Sequence, residues 1–262
     1  MQIALQPIYE GLAEHKWSDA QLTELNSELA KLDFLADFEM TMRGERAASI
    51  STLDFLRRSP KNMIDFVTDY RNHQSGFESA IADLEAQLVP SSFFYQNELT
   101  IARLHQQYFI PMADATAGTA FPAQIKDLDK KSDQDMNHHY WPYKIFAKML
   151  MPALTTSVKK FTYGQSSVNL ARVAIALERH RLAHGEFPGS LDALAPQFIT
   201  KVPHDIINGQ PLHYRRTDDG QFILYSVGWN ERDDGGSVVF GKGKTPVMDI
   251  SEGDWVWRYP QK

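Results

Sequence analysis

Six oxygen-bearing side chains crowd two stretches near the end of the chain: Asp233 and Asp234, then Asp249, Ser251, Glu252 and Asp254. Calcium takes roughly six to eight oxygen ligands from carboxylates and backbone carbonyls. Asp233, Asp234, Asp249, Ser251 and Asp254 are therefore read as a candidate calcium site. The competing reading is turn chemistry, since tight turns also use Asp and Gly and Gly235-Gly236 follows Asp234 directly.

The histidines offer a second chemistry. His180 and His184 stand four apart, a helical spacing that can hold zinc, and His213 is a possible third ligand. The run His180-Arg181-Leu182-Ala183-His184 lacks the glutamate that follows the first histidine of a zinc protease. His184 also precedes Gly185, where an imidazolium suits the negative end of a helix dipole. Asp133, Asp135 and Asn137 open like a calcium-binding EF-hand loop, but His138 replaces its glycine and Lys144 its closing glutamate, which excludes it. His138 and His139 with Asp135 read either as a transition-metal pair or as a polar loop. Gly164-Gln165-Ser166-Ser167 has no strand before it, so no nucleophile elbow is read there. Gly241-Lys242-Gly243-Lys244 reads as a solvated basic turn, and Arg43 and Arg46 as structural pairs at a helix end. A carboxylate pair for glycoside hydrolysis is a matter of three-dimensional separation, so no catalytic residue is assigned.

The composition narrows the classes. The chain has 262 residues, a net charge of −6 and no cysteine. The acidic balance argues against a nucleic-acid backbone as the main partner, and the lack of cysteine excludes disulfides and thiolate chemistry. No stretch of about 18 apolar residues is present, so no membrane span is expected. The start, Met1 to Pro7, lacks the basic and apolar parts of a signal peptide. We expect a soluble piece of a longer polypeptide, or a chain trimmed of its N-terminal anchor.

The elements that must position these residues fall into two styles. Residues 1–162 read as an α-helical region. Ser18 and Gln21 form a capping box, and Leu22, Leu25, Leu29, Leu32, Leu35 and Phe38 make one stripe that stops near Gly44. Further helices are expected after Ser59-Pro60, along Phe77 to Leu88, and from Tyr95 to about Met112, with no strand before residue 200. The cluster Tyr140-Trp141-Pro142-Tyr143 is read as an anchor for the returning chain. Residues 163–262 read as a long helix, Ser166 to His184, and then a small antiparallel sheet. Leu212 to Arg216 and Gln221 to Val227 are its strands, with Asp218-Asp219-Gly220 turning between them. Trp255, Trp257 and Tyr259 share one face of a closing strand by period two.

The C-terminal order carries a resemblance. A helix ends in Gly185 and Phe187-Pro188, then Leu191 and Leu194 follow, then Val202-Pro203-His204-Asp205, then Gly209-Gln210-Pro211-Leu212-His213-Tyr214. The hairpin leads into Leu224-Tyr225-Ser226-Val227-Gly228 and Asp233-Asp234-Gly235-Gly236. Over roughly residues 165–240 this resembles the major pseudopilin of type II secretion systems. It also resembles verrucomicrobial and planctomycete envelope proteins with the same tail. The resemblance implies an α+β fold with a long helix, a small antiparallel sheet and a calcium loop in which Asp249-Ile250-Ser251 would take part. The family's membrane-embedded, polymerising first helix has no counterpart, and its Asp-Pro-Trp-Gly is replaced by His204 to Gly209.

Three functions follow as expectations. The first is a non-catalytic scaffold or interaction protein of the periplasm or cell envelope, related to pseudopilins, with a protein partner there and calcium as its one candidate cofactor. The second is a hydrolase with an Asp/Glu site, with or without His, between the helical region and the tail. The third is a carbohydrate- or peptide-binding module using the late aromatic residues.

Overall fold

The computed structural model describes residues 2–59, 61–63, 65, 89–125, 127, 145–242 and 247–257. The fold is α+β: helices dominate, and several small antiparallel sheets lie mainly in the C-terminal part. Two compact units are built from interleaved segments. Unit 1 comprises Met1–Phe38, Met112–Pro122 and Ser157–Lys262, and unit 2 comprises Glu39–Pro111 and Ala123–Thr156. The expected boundary at 162/163 falls inside a helix, and the first 38 residues belong with the C-terminal part. Amphipathic periodicity marks which residues of a helix are buried, but not which distant segment covers them.

In unit 1, α1 (Gln2–Ala13) and α2 (Asp19–Leu29) pack on the C-terminal part of α5 (Ile145–His184), a helix whose first turns belong to unit 2. The expected capping box begins α2: the Ser18 hydroxyl accepts from the Gln21 N–H, and the Gln21 side chain accepts from the Ser18 N–H. The stripe from Leu22 to Phe38 is divided between two helices, because Asp33 starts a new one. Its Oδ1 accepts the N–H groups of Leu35 and Ala36 at 3.1 and 2.9 Å, opening α3 (Phe34–Arg57). Gly44 does not stop α3; a side chain there would meet open space, and the helix runs through at a modest propensity cost.

Helix α5 is longer than its expected start at Ser166. Its segment from Val168 to Leu177 is the centre of unit 1: Leu170, Ala171, Val173, Ala174, Ile175, Ala176 and Leu177 are at most 3% exposed. Alanines let neighbouring backbones approach there, while each large side chain contributes about 1.5–3 kcal/mol by burial. Its cover comes from Ile8, Leu12, Leu22 and Leu29 and from Phe187, Leu194, Phe198, Leu212, Leu224 and Trp257.

The main sheet has the order β3 (His213–Arg216), β4 (Phe222–Ser226), β7 (Trp255–Trp257), all antiparallel, with β4 central. The expected hairpin is present, with Tyr214 opposite Leu224. The closing strand pairs Tyr225 with Val256, and buried Trp255 and Trp257 seal the sheet rather than form a platform. Tyr259 lies outside the described residues. A separate hairpin, β5 (Val238–Phe240) with β6 (Met248–Gly253), leaves Val239, Phe240 and Val247 exposed. A short ladder, β1 (Ala113–Asp114) with β2 (Thr119–Ala120), breaks the expectation of no strand before residue 200. Two-residue strands are too short to show alternation.

In unit 2, α4 (Ser91–Leu104) passes into a π-helical turn, His105–Phe109. Leu53, Leu56, Phe94 and Ile101 form its core, with Phe146 against them. The stripes expected at Ile64–Tyr70 and Phe77–Leu88 and the cluster at 140–143 lie outside the described residues.

Candidate functional site

The late acidic residues form a loop-organising centre. Asp254 is fully buried, and its carboxylate accepts three backbone N–H groups: Asp234 at 3.2 Å, Gly236 at 2.6 Å and Ser237 at 3.2 Å. Burial pushes its carboxyl up, and the three N–H groups pull it partly back. Asp205 does similar work one loop away. It is 1% exposed and accepts from Ile207 N–H, Val227 N–H and the Ser226 hydroxyl at 2.8–2.9 Å. Both acids serve the backbone, as buried carboxylates with several N–H donors do.

The remaining calcium candidates have separate partners. Asp233 Oδ1 accepts from the Tyr225 hydroxyl and the Gly235 N–H, both at 2.9 Å. Asp234 accepts from Asn230 Nδ2 at 2.8 Å, and Asp249 from the Ser251 N–H at 2.9 Å. The Ser251 hydroxyl accepts from Lys159 Nζ at 2.6 Å, and Lys159 also lies over the Trp229 ring. Among the described residues, no group of three or more His, Asp or Glu side chains is placed to hold a metal ion. The structure thus links Asp254 to Asp234 through the backbone but does not gather the five predicted ligands around one point. Asx-type contacts, Asp233 to Gly235 and Asp249 to Ser251, account for the local acid-rich spelling.

His213 stacks on Tyr225 with ring centroids 4.7 Å apart and faces Asp233 at 3.5 Å. The Gly235 N–H and the Tyr225 hydroxyl hold the Asp233 carboxyl below the usual range. Burial and the Asp233 contact push the Tyr225 phenol up to about 12. The trio is a clasp in which the Tyr225–Asp233 hydrogen bond is flanked by the stacked His213 ring.

His180 and His184 do come together, ring on ring at 4.2 Å, against Phe198. Their Nδ1 atoms bond the carbonyls of Glu186 and His180 at 3.0 and 3.1 Å. His213 does not complete a triad with them, since it belongs to the Asp233 clasp. Asp133, Asp135, Asn137, His138 and His139 lie outside the described residues. Ser166 is buried inside α5 rather than at a strand–helix turn. Arg43 and Arg46 lie inside α3 rather than at a helix end; Arg43 pairs with the acid Glu39, but Arg46 meets Gln106, and both contacts are exposed.

Sequence reasoning missed a buried ionic knot. Glu178, fully buried, takes two hydrogen bonds from Arg181 at 2.7 and 2.8 Å and faces His15 at 2.9 Å. The i,i+3 spacing of Glu178 and Arg181 was its sequence signal. His15, 163 positions away, had none.

An apolar groove of about 380 Å³ runs between Leu5 and Tyr9 of α1, Tyr163 of α5, Phe240 and Met248 of the β5–β6 hairpin, and β7. No family model, curated protein or solved structure matches the chain.

Proposed function

We propose that this protein is a non-catalytic scaffold or interaction protein of the periplasm or cell envelope, related to pseudopilins and engaging a protein partner there. The observation that supports the reading is how the acid-rich loops are used. Asp254 spends its buried carboxylate on three backbone N–H groups, and Asp205 on two more and a hydroxyl. These acids shape loops against a sheet-covered helix. That is the role a structural tail requires, and it leaves their carboxylates no place on a substrate. The α+β arrangement of a long helix with a small antiparallel sheet agrees with what the pseudopilin resemblance implies. No helix among the described residues is long and apolar enough to cross a membrane.

The test is site-specific photo-crosslinking in the native cell, with the probe at exposed Val247 or Phe240. The reading expects discrete adducts with an envelope protein, absent when the probe is moved to buried Leu224. Adducts with cytosolic proteins alone would overturn it. So would turnover of ester, peptide or glycoside substrates that His213→Gln and Asp233→Asn abolish, since that outcome selects the hydrolase.

A further inference from the structure

Helix α5 carries a polar stripe along the edge of its most buried region. Gln165, Asn169 and Arg172 lie at i, i+4 and i+7, one face of the helix, among apolar neighbours. Burying such groups is costly unless something receives their hydrogen bonds. The stripe opens on a cavity of about 370 Å³, whose wall also includes Asp33, Lys201 and His204. That volume suits a small ligand.

The protein orients these donors. The Phe34 N–H donates to Gln165 Oε1 at 2.7 Å, which fixes the way the Gln165 amide faces. Gln165 Nε2 must then donate to Asn169 Oδ1, at 3.1 Å. Asn169, nine-tenths buried, consequently keeps its NH2 as a donor at the cavity wall. His204 Nε2 bonds the Gly118 carbonyl at 3.2 Å, which orients its ring.

Arg172 supplies the charge. Two contacts between α2 and α5 repeat at a spacing of seven on each helix. Asp19 pairs with Arg179 at 2.7 Å, and Asn26 meets Arg172 at 3.3 Å. The acid of the first pair becomes a neutral amide in the second. Among the described residues, Arg172 therefore has no carboxylate partner, although it is half-buried and burial lowers its pKa. Among the described residues, the one acid on the wall, Asp33, holds the first turn of α3 through Oδ1, where the helix dipole offsets its charge.

We propose that this cavity is a binding site for a small organic oxyanion, a carboxylate or phosphate received by Arg172, Asn169 and Lys201. A guanidinium fork matches either group in a bidentate manner, and the exposed Lys201 adds charge at the mouth. The site is independent of the interaction role proposed above and uses none of the late acidic loops.

The experiment uses the whole chain. Succinate, inorganic phosphate and the uncharged succinamide are titrated at constant ionic strength, read by thermal unfolding and by amide shifts of Gly118, Lys201 and His204. Succinate or phosphate is expected to raise the Tm and move those shifts saturably, and succinamide to do neither. The stronger of the two anions identifies the ligand class. Arg172→Gln should weaken binding about ten- to hundredfold, the loss expected for a charged hydrogen bond. Asn169→Asp should abolish binding by repulsion. Lys201→Gln, at an exposed position, leaves the fold intact and should weaken binding several-fold. The proposal is overturned if neither anion moves the Tm or the shifts. It also fails if succinamide acts alike, or if Lys201→Gln and Arg172→Gln respond like the unaltered chain.

Discussion

His105 shows how one buried side chain ties stability to pH. It is 1% exposed, its Nδ1 bonds the Ile101 carbonyl at 2.9 Å, and its Nε2 has no hydrogen-bond partner among the described residues. Burial lowers its pKa below the usual histidine range. The unfolded chain takes up this proton near about pH 6.5 and the folded chain only at lower pH. His105 therefore reduces stability as pH falls through that window. Urea midpoints between about pH 7 and 5 should fall less steeply for His105→Leu than for the unaltered protein. The Asp233 clasp gives a second test. Asp233→Asn removes the anion that helps hold the Tyr225 phenol at about 12. One late-ionising tyrosine should then titrate earlier in an ultraviolet absorbance titration, while Tyr214, raised to about 12 by burial, stays late. At this scale the sequence marked Asp233, Asp234, Asp249, Ser251 and Asp254 as a group. Their actual partners are backbone N–H groups, a phenol, an asparagine amide and a lysine, and no residue type announces those.

At the scale of elements, backbone approach explains residues that hydrophobic patterns pass over. Gly228 sits at φ +71°, and a Cβ there would lie 2.4 Å from the Gly253 carbonyl oxygen. Gly228→Ala meets both the left-handed penalty of about 1–2 kcal/mol and that clash. It should lower the urea midpoint more than any exposed alanine substitution in unit 1. Gly11 is a space-limited glycine inside α1, since a Cβ would come 1.8 Å from Trp17 Nε1. Alanine gains about 1 kcal/mol of helix propensity there, but overpacking costs about 1–3 kcal/mol. Gly11→Ala should be net destabilising, with a shifted tryptophan emission as the indole is displaced. The capping box, the β3–β4 hairpin and the closing strand were legible because each is set by neighbours in sequence. The split between α2 and α3 was misread because the leucine stripe continues across it, while the Asp33 cap is a single-residue signal.

At the scale of the molecule, unit 1 is organised around the buried middle of α5. Amides of Val168 to Leu177 should show the slowest hydrogen exchange in unit 1, since only its global unfolding exposes them. Leu177→Ala, at a fully buried position, should cost about 2–5 kcal/mol in denaturant unfolding. It should also speed exchange across α1, α2 and the main sheet together, because all pack on that helix. A variant that loosened only α5 would show that these elements do not share one cooperative core.

The sequence by itself determined the α+β class, the long helix followed by the β3–β4 hairpin and a closing strand, and the exclusion of thiol chemistry. It also determined the Ser18–Gln21 capping box and the turn between β3 and β4, which depend on residues a few positions apart. Only the tertiary structure decided that residues 1–38 belong with the C-terminal part, that His15 meets Glu178, and that Asp254 serves the 234–237 loop. The same holds for the polar stripe of α5, which faces a cavity also lined by Asp33 and His204. Local spacing is a property of the chain's geometry and can be read one turn at a time. Long-range pairing depends on which buried surfaces fit one another, and that is settled only when the whole core packs.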